Sequence, residues 1–472
     1  MARSMSRPRA QDSAFLAAVL AQAGRLLTTS SLLSLARVAG ALAGFVTQVV
    51  LARTLLASSL GVFYSVTSLA AVVGLVAAHG YPAIAPRFMS RYREQGKESL
   101  IAAFVARARK DAAVYVTITT AAVLAVAAFW PSLSFEARAA TIAAALSIPA
   151  NAALRLNGSL AAAIRRFGLA YLPDTCFRPF VLLAGILVLI AAGVTLTAAN
   201  VTALLTVVFV GLALVQYFLV RKDIPHGEAV AGETVAGAAV VGAAVAPKRL
   251  VKLWRREATP LILVALFTYF FADVDILIVT PLLPSAETAI VGLSLKLALL
   301  VGFAVQVAHQ VVVPDLADAH ARKEHSAIRH VVLKALAFPL TVTLAALAVV
   351  ALWGETILSL FGPEFTGAKI PLLILLACQL LRAVFGPNVP LLTVIGAQRQ
   401  NAALAVSALV VLAVSNVVLA PAYGVLGAAI AVAIATLFWL GACSVVLARL
   451  SGLRTDAVYL IGKLIAARQA SA

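Results

Sequence analysis

The chain has 472 residues, of which 62% are hydrophobic and only 12% charged, and its mean hydropathy is +1.02. So few charges cannot cover the surface of a water-soluble protein of this size, and apolar runs of about 18 residues or more recur throughout, so the chain reads as a polytopic membrane protein. The net charge of +18 sits in short loops and not in a soluble basic domain, which excludes a nucleic-acid partner, while the scattered Cys176, Cys378 and Cys443 give neither a disulfide framework nor a metal cluster.

In chain order, residues 1–28 read as an amphipathic segment on the cytoplasmic membrane surface. This stretch has a basic start and a cleavage-like Ala21-Gln22-Ala23, but Arg25 and a full-length apolar span follow at once, against a signal peptide. Twelve transmembrane helices are then predicted, centred on 29–52, 59–82, 112–130, 139–163, 176–195, 198–220, 259–282, 287–313, 333–353, 369–396, 401–420 and 424–448. At ~1.5 Å per residue such stretches cross a hydrocarbon core of ~30 Å. Six fall in an N-terminal bundle, 29–220, and six in a C-terminal bundle, 258–448. Between them lies an Ala/Gly/Val-rich linker, 221–257, interrupted by Glu228 and Glu233, and a basic tail follows at 449–472.

The charges test this parse. Of 37 Lys and Arg residues, 30 fall in segments assigned to the cytoplasm, three (Arg53, Arg138, Lys369) on the outer side and four within spans. That bias places both termini in the cytoplasm, with the basic loops facing anionic lipid headgroups. The halves also echo one another: with one gap, Gly74 matches Gly302 and Pro86 matches Pro314, each pair 228 residues apart. Six spans per half and this offset predict a parallel repeat, an all-α fold of two six-helix bundles around a central cavity.

Ionisable residues inside the spans are costly and should face the bundle interior. They are Arg37, Arg155, Asp273, Asp275, Lys296 and Arg382, four cations against two carboxylates. Arg37 and Arg155 lie ~12 Å from the cytoplasmic end at the helical rise, with Lys296 and Arg382 nearer the middle. Gln48, Asn151, Asn157, Gln306 and His309 add polar groups, and Gln48 occupies the repeat position equivalent to Asp275. The tenth span carries QLLRAVFGPNVP, in which Gly386, Pro387 and Pro390 must break the helix just past Arg382. Asp273 and Asp275 form a D-x-D pair, which in a soluble glycosyltransferase would hold a metal-bound nucleotide-sugar. Here it lies mid-span, and two residues apart on a helix is ~200° of rotation, so the carboxylates point different ways. One is expected to face the cavity and the other a neighbouring helix, with Lys296 a partner for one of them.

Three stretches carry a family resemblance. LARTLLASSLGVFY after the first span resembles an element of the bacterial polysaccharide flippases of the multidrug/oligosaccharidyl-lipid/polysaccharide exporter superfamily, with Leu56-Ala57 standing where Gly-Pro is usual. RRFGLAYLPDTCFRPF (165–180) is similar to that family's loop before the fifth span, and DILIVTPLLPSAETAIVGLSLKLA (275–298) to its seventh-to-eighth span element. The resemblance implies a non-enzymatic transporter of the bacterial inner membrane. It would flip undecaprenyl-pyrophosphate-linked oligosaccharide to the outer leaflet, for lipopolysaccharide O-antigen or exopolysaccharide biosynthesis. Glycosyltransferases and a polysaccharide polymerase would be its pathway partners.

A cationic interior suits a pyrophosphate, so Arg37, Arg155, Lys296 and Arg382, with Gln48 and Asn151, are expected to bind substrate. Asp273, Asp275 and His309 are expected to couple transport to H⁺ or Na⁺, with no other cofactor. Two alternatives stay open. A multidrug exporter of the same fold usually carries organic cations, which this cavity would repel. A polysaccharide polymerase or ligase would need a large outer loop with catalytic His or Arg, and the longest outer loop, near 353–369, offers only Glu355, Glu364 and Lys369.

Overall fold

A computed structural model describes residues 31–224, 247–269, 271–322, 325–452, 455–457 and 459; the segment 1–28, residues 225–246 of the linker and most of the tail lie outside them. Every regular element described is helical. The first lobe comprises α1 (Ser31–Thr54), α2 (Ala57–Ala77), α3 (Tyr81–Glu94), α4 (Glu98–Phe129) and α5 (Phe135–Ala163). It continues through α6 (Phe167–Leu172), a π-helical turn (Pro173–Phe177), α7 (Arg178–Ala191) and α8 (Ala198–Asp223). The second lobe comprises α9 (Lys248–Tyr269), α10 (Phe271–Val279), α11 (Ser285–Ala321), α12 (His325–Ser359), a 3₁₀ turn (Pro363–Ala368), α13 (Lys369–Phe385), α14 (Asn388–Val394) and α15 (Gln398–Ser451).

Ten of these segments are long and apolar enough to cross a membrane, and the pair α9–α10, bent by 67°, supplies an eleventh. Helix α15 has 54 residues, about twice what a bilayer needs. It is broken at Gly424, whose φ of 56° and ψ of −135° suit a residue without a Cβ, and Pro421 precedes the break. It is long enough for two crossings, so the ten to eleven apolar segments among the described residues can accommodate the predicted twelve. Large apolar side chains such as Val207, Leu214 and Phe218 on α8 and Val410, Val414 and Val418 on α15 point outward, as a lipid-facing surface requires.

Local chemistry sets the helix ends that frame the interior. Thr197 and Asn200 form a capping box at the start of α8. Glu136, in the first turn of α5, accepts from the Ala198 N–H (2.8 Å) and from Ser59 Oγ (3.1 Å), tying α5 to α8 and α2. Pro149 sits inside α5 and cannot donate to the carbonyl one turn back, which loosens this helix beside Asn151.

Most basic loops lie at one end of the bundle, here the basic end. The lobes meet towards the other, far end, chiefly through α2 and α11. Gly61 lies so close to the Ser285 backbone, and Gly292 to the Tyr64 ring, that a Cβ at either position would collide. Small residues of this kind allow the backbone approach that holds membrane helices together. Arg53 at the end of α1 closes the contact, donating from Nε to the Leu360 carbonyl (2.8 Å) and from Nη2 to the Ser359 carbonyl (2.7 Å).

At the basic end one boundary differs from the sequence reading. Residues 248–257, assigned to the linker, are the first turns of α9, and they pack on the first lobe. Trp254 is fully buried beside Tyr92 and Phe104 and donates to Tyr92 Oη (2.9 Å). Arg255 forms a two-pronged contact with Asp111 (2.9 and 2.8 Å), which also pairs with Arg107 and accepts from Tyr81 Oη (2.7 Å). A composition-based boundary misses this because Lys248, Arg249, Lys252, Arg255 and Arg256 make an amphipathic helix resemble a charged loop.

Candidate functional site

A cavity of about 310 Å³ lies mainly in the first lobe, walled by α1, α2, α5, the π-turn, α7 and α8, with Asp273 of α10 and Lys296 of α11 reaching it from the second lobe. Three cations, Arg155, Arg178 and Lys296, and two carboxylates, Asp174 and Asp273, line it, leaving one excess positive charge. Arg178 Nε pairs with Asp174 Oδ1 at 2.8 Å, one helical turn apart across the π-turn. Arg155, on α5, lies within electrostatic range of both Asp174 and Asp273. The remaining polar lining is neutral: Gln48, Tyr64, Thr67, Ser147, Asn151, Thr202 and Thr206. Tyr64 Oη donates to Gln48 Oε1 at 2.6 Å.

Asp273 joins the lobes. Its Oδ1 accepts from Ser68 Oγ of α2 (2.9 Å) and from Lys296 Nζ of α11 (3.2 Å). Asp275 points elsewhere. It is fully buried in the second lobe, where Oδ1 accepts from Asn416 Nδ2 of α15 (2.7 Å) and Oδ2 has no hydrogen-bond partner among the described residues. The D-x-D pair is thus split between a cavity and a helix interface, as helical geometry demands, and Lys296 takes Asp273.

A second cavity of about 340 Å³ lies wholly within the second lobe. Arg382 from α13, Gln306 and His309 from α11, and Asn388, Asn401 and Trp439 meet there among Val305, Val313, Val394 and Leu440. The chain leaves α13 at Gly386 (φ 68°, ψ −164°) and resumes at Asn388, so the predicted break stands next to Arg382. Arg382 forms no ion pair among the described residues.

The predicted interior charges therefore do not share one site. Arg155, Lys296, Asp273, Gln48 and Asn151 gather in the first cavity, and Arg382 and His309 in the second. Arg37 lies in neither: its guanidinium stacks over the Tyr171 ring at 4.4 Å, beside α6. Asn157 is buried on α5, away from both cavities. The sequence reading omitted Asp174 and Arg178, placing them with the loop at the basic end. Their i,i+4 spacing between Pro173 and Pro179 was the available signal for a paired, helix-borne site. Nothing in the sequence marked Ser68 or Asn416.

What the arrangement can do follows from its chemistry. Arginine forks and a lysine bind phosphate oxygens, and a ring of amides and hydroxyls hydrogen-bonds a polyhydroxylated ligand. The second cavity, more apolar and with a single arginine among neutral polar groups, suits an amphiphile.

No protein-family model and no curated protein sequence matches the chain. Solved structures do match in fold. The lipid II flippase MurJ in an inward closed conformation aligns with a TM-score of 0.65 and 12% identity, over 88% of this chain and 87% of MurJ. An inward-facing MATE family multidrug resistance transporter of the MOP superfamily aligns at 0.63 and 13%, over 88% and 95%. An outward-facing MATE transporter gives 0.53 and 14%, over 88% and 95%. The chain has the fold of MOP superfamily transporters.

Proposed function

We propose that this protein flips an undecaprenyl-pyrophosphate-linked oligosaccharide across the bacterial cytoplasmic membrane by alternating access of its two lobes, for O-antigen or exopolysaccharide synthesis. The basic end is the cytoplasmic one in this reading, with both termini there. The observation that carries it is the first cavity, where one excess positive charge and a pair of arginines are surrounded by neutral hydrogen-bonding groups. Pyrophosphate needs the cations and a glycan needs the amides and hydroxyls. An organic cation, the usual cargo of multidrug exporters, would be repelled by the same field. The flippase among the fold neighbours handles lipid II, which supports a lipid-linked cargo for this architecture. Energy coupling is assigned to Asp275, a buried carboxylate with one unpartnered oxygen and no cation partner among the described residues. Asp273 instead serves as the inter-lobe junction.

Reconstitution tests this. Vesicles holding a fluorescent polyprenyl-pyrophosphate glycan in both leaflets should lose the protected fraction to an external quencher only when the protein is present. Efflux of a cationic dye with no effect on the lipid-linked glycan would sink the proposal in favour of drug export.

A further inference from the structure

On the outside of the first lobe, at its basic end, α6 and the π-turn stand apart from α8 and leave a groove of about 500 Å³. Its walls are apolar: Phe167 and Phe177 on one side, Val215 and Leu219 on the other, with all four side chains exposed. Arg165 and Arg166 form its rim. Arg166 shares its charge with Asp223 at 3.1 Å, whereas Arg165 forms no ion pair among the described residues. Arg165 also holds a left-handed backbone, φ 62°, in the turn that closes α5. That conformation favours Gly or Asn, so an arginine there bears a strain that either would relieve.

We propose that this groove is a binding site for an anionic phospholipid of the leaflet at the basic end. The phosphate sits at Arg165 and Arg166, and an acyl chain runs between the π-turn and α8. Charge complementarity identifies the occupant: a zwitterionic headgroup brings no net charge to a rim that carries one. The site bears on transport because the π-turn is a shared wall. Pro173 and Phe177 face the groove, and Asp174 and Arg178 line the polar cavity. A lipid seated in the groove therefore braces the turn that presents the Asp174–Arg178 pair.

The test uses the full chain purified in detergent, with dioleoylphosphatidylglycerol and dioleoylphosphatidylcholine as probes and lipid adducts counted by native mass spectrometry. Wild-type protein should retain phosphatidylglycerol over phosphatidylcholine by roughly fivefold, the usual worth of one unshared basic side chain near an anionic headgroup. Arg165→Asn combined with Arg166→Gln should abolish that preference, and the Asn keeps the left-handed turn accessible, so folding is preserved. Leu219→Trp, which fills the groove and leaves both arginines, should lower retention of both lipids. Equal retention of the two lipids by wild type, a preference surviving the double arginine variant, or undiminished retention by Leu219→Trp overturns the assignment. So does displacement of phosphatidylglycerol by an equimolar polyprenyl phosphate, which would give the groove to the transported lipid's own chain.

Discussion

The two lobes enclose cavities of nearly equal volume, about 310 and 340 Å³, yet they differ in chemistry. The first is lined by five ionisable side chains with acidic and basic groups side by side; the second is more apolar, with a single arginine among amides, a histidine and aliphatic side chains. In the proposed reading, only the first cavity carries the cations and neutral hydrogen-bonding groups that a doubly charged, sugar-bearing headgroup needs. Asp273 and Asp275 show the same division within three residues, one serving the polar cavity and the other the interior of the second lobe.

Experiments can break this comparison, and the deepest cut is at the first cavity. Replacing Arg155 and Arg178 together with Gln should lower flipping by roughly a hundredfold or more, since each hydrogen bond to a charged group is worth about 1.5–3 kcal/mol. Initial rates in vesicles measure this, and a loss smaller than about threefold would take the cavity off the substrate's path. Asp273→Asn should cost about tenfold, because Lys296 would lose its carboxylate in a low-dielectric setting. Lys296→Met in the same chain should then recover part of the loss in rate and in thermal stability; no recovery would deny the pairing a functional part.

Arg53→Ala acts on the lobes rather than on a cavity. Losing two charge-assisted bonds at an exposed site should shift the balance away from the far-end-closed form by about fivefold. Spin labels on the far ends of α1 and α12 would report it as a longer distance population. The smallest effect sharpens the contrast: Arg382→Gln should change flipping of the lipid-linked glycan by less than about threefold, as expected for a group outside the headgroup site. A loss equal to that of the Arg155/Arg178 variant would mean that the two cavities act as one.

Much of this was legible in the sequence, for identifiable reasons. Hydropathy gave the spans because a bilayer leaves backbone no alternative to a helix. The divergence of the D-x-D carboxylates followed from 3.6 residues per turn, and the link between Asp273 and Lys296 from their matching depth. Depth along a helix is readable, but azimuth is not. Arg37 and Arg155 stand at similar depth, and only packing sends one onto Tyr171 and the other into the cavity. Asp174 and Arg178 escaped because a π-turn between two prolines looks like a loop, and the Gly61–Ser285 approach because contacts between lobes leave no local pattern.

The early turns of α9 have a mechanical consequence. Trp254 and the Arg255–Asp111 fork rivet them to the first lobe, while the 67° bend at their other end leads into the second. Non-covalent contacts of α9 therefore join the halves at the basic end. Helix α9 is anchored to the first lobe at one end and turns into the second at the other. A polypeptide severed between 224 and 247 should still assemble from two separately translated pieces, whereas one cut between Leu266 and Phe271 should come apart.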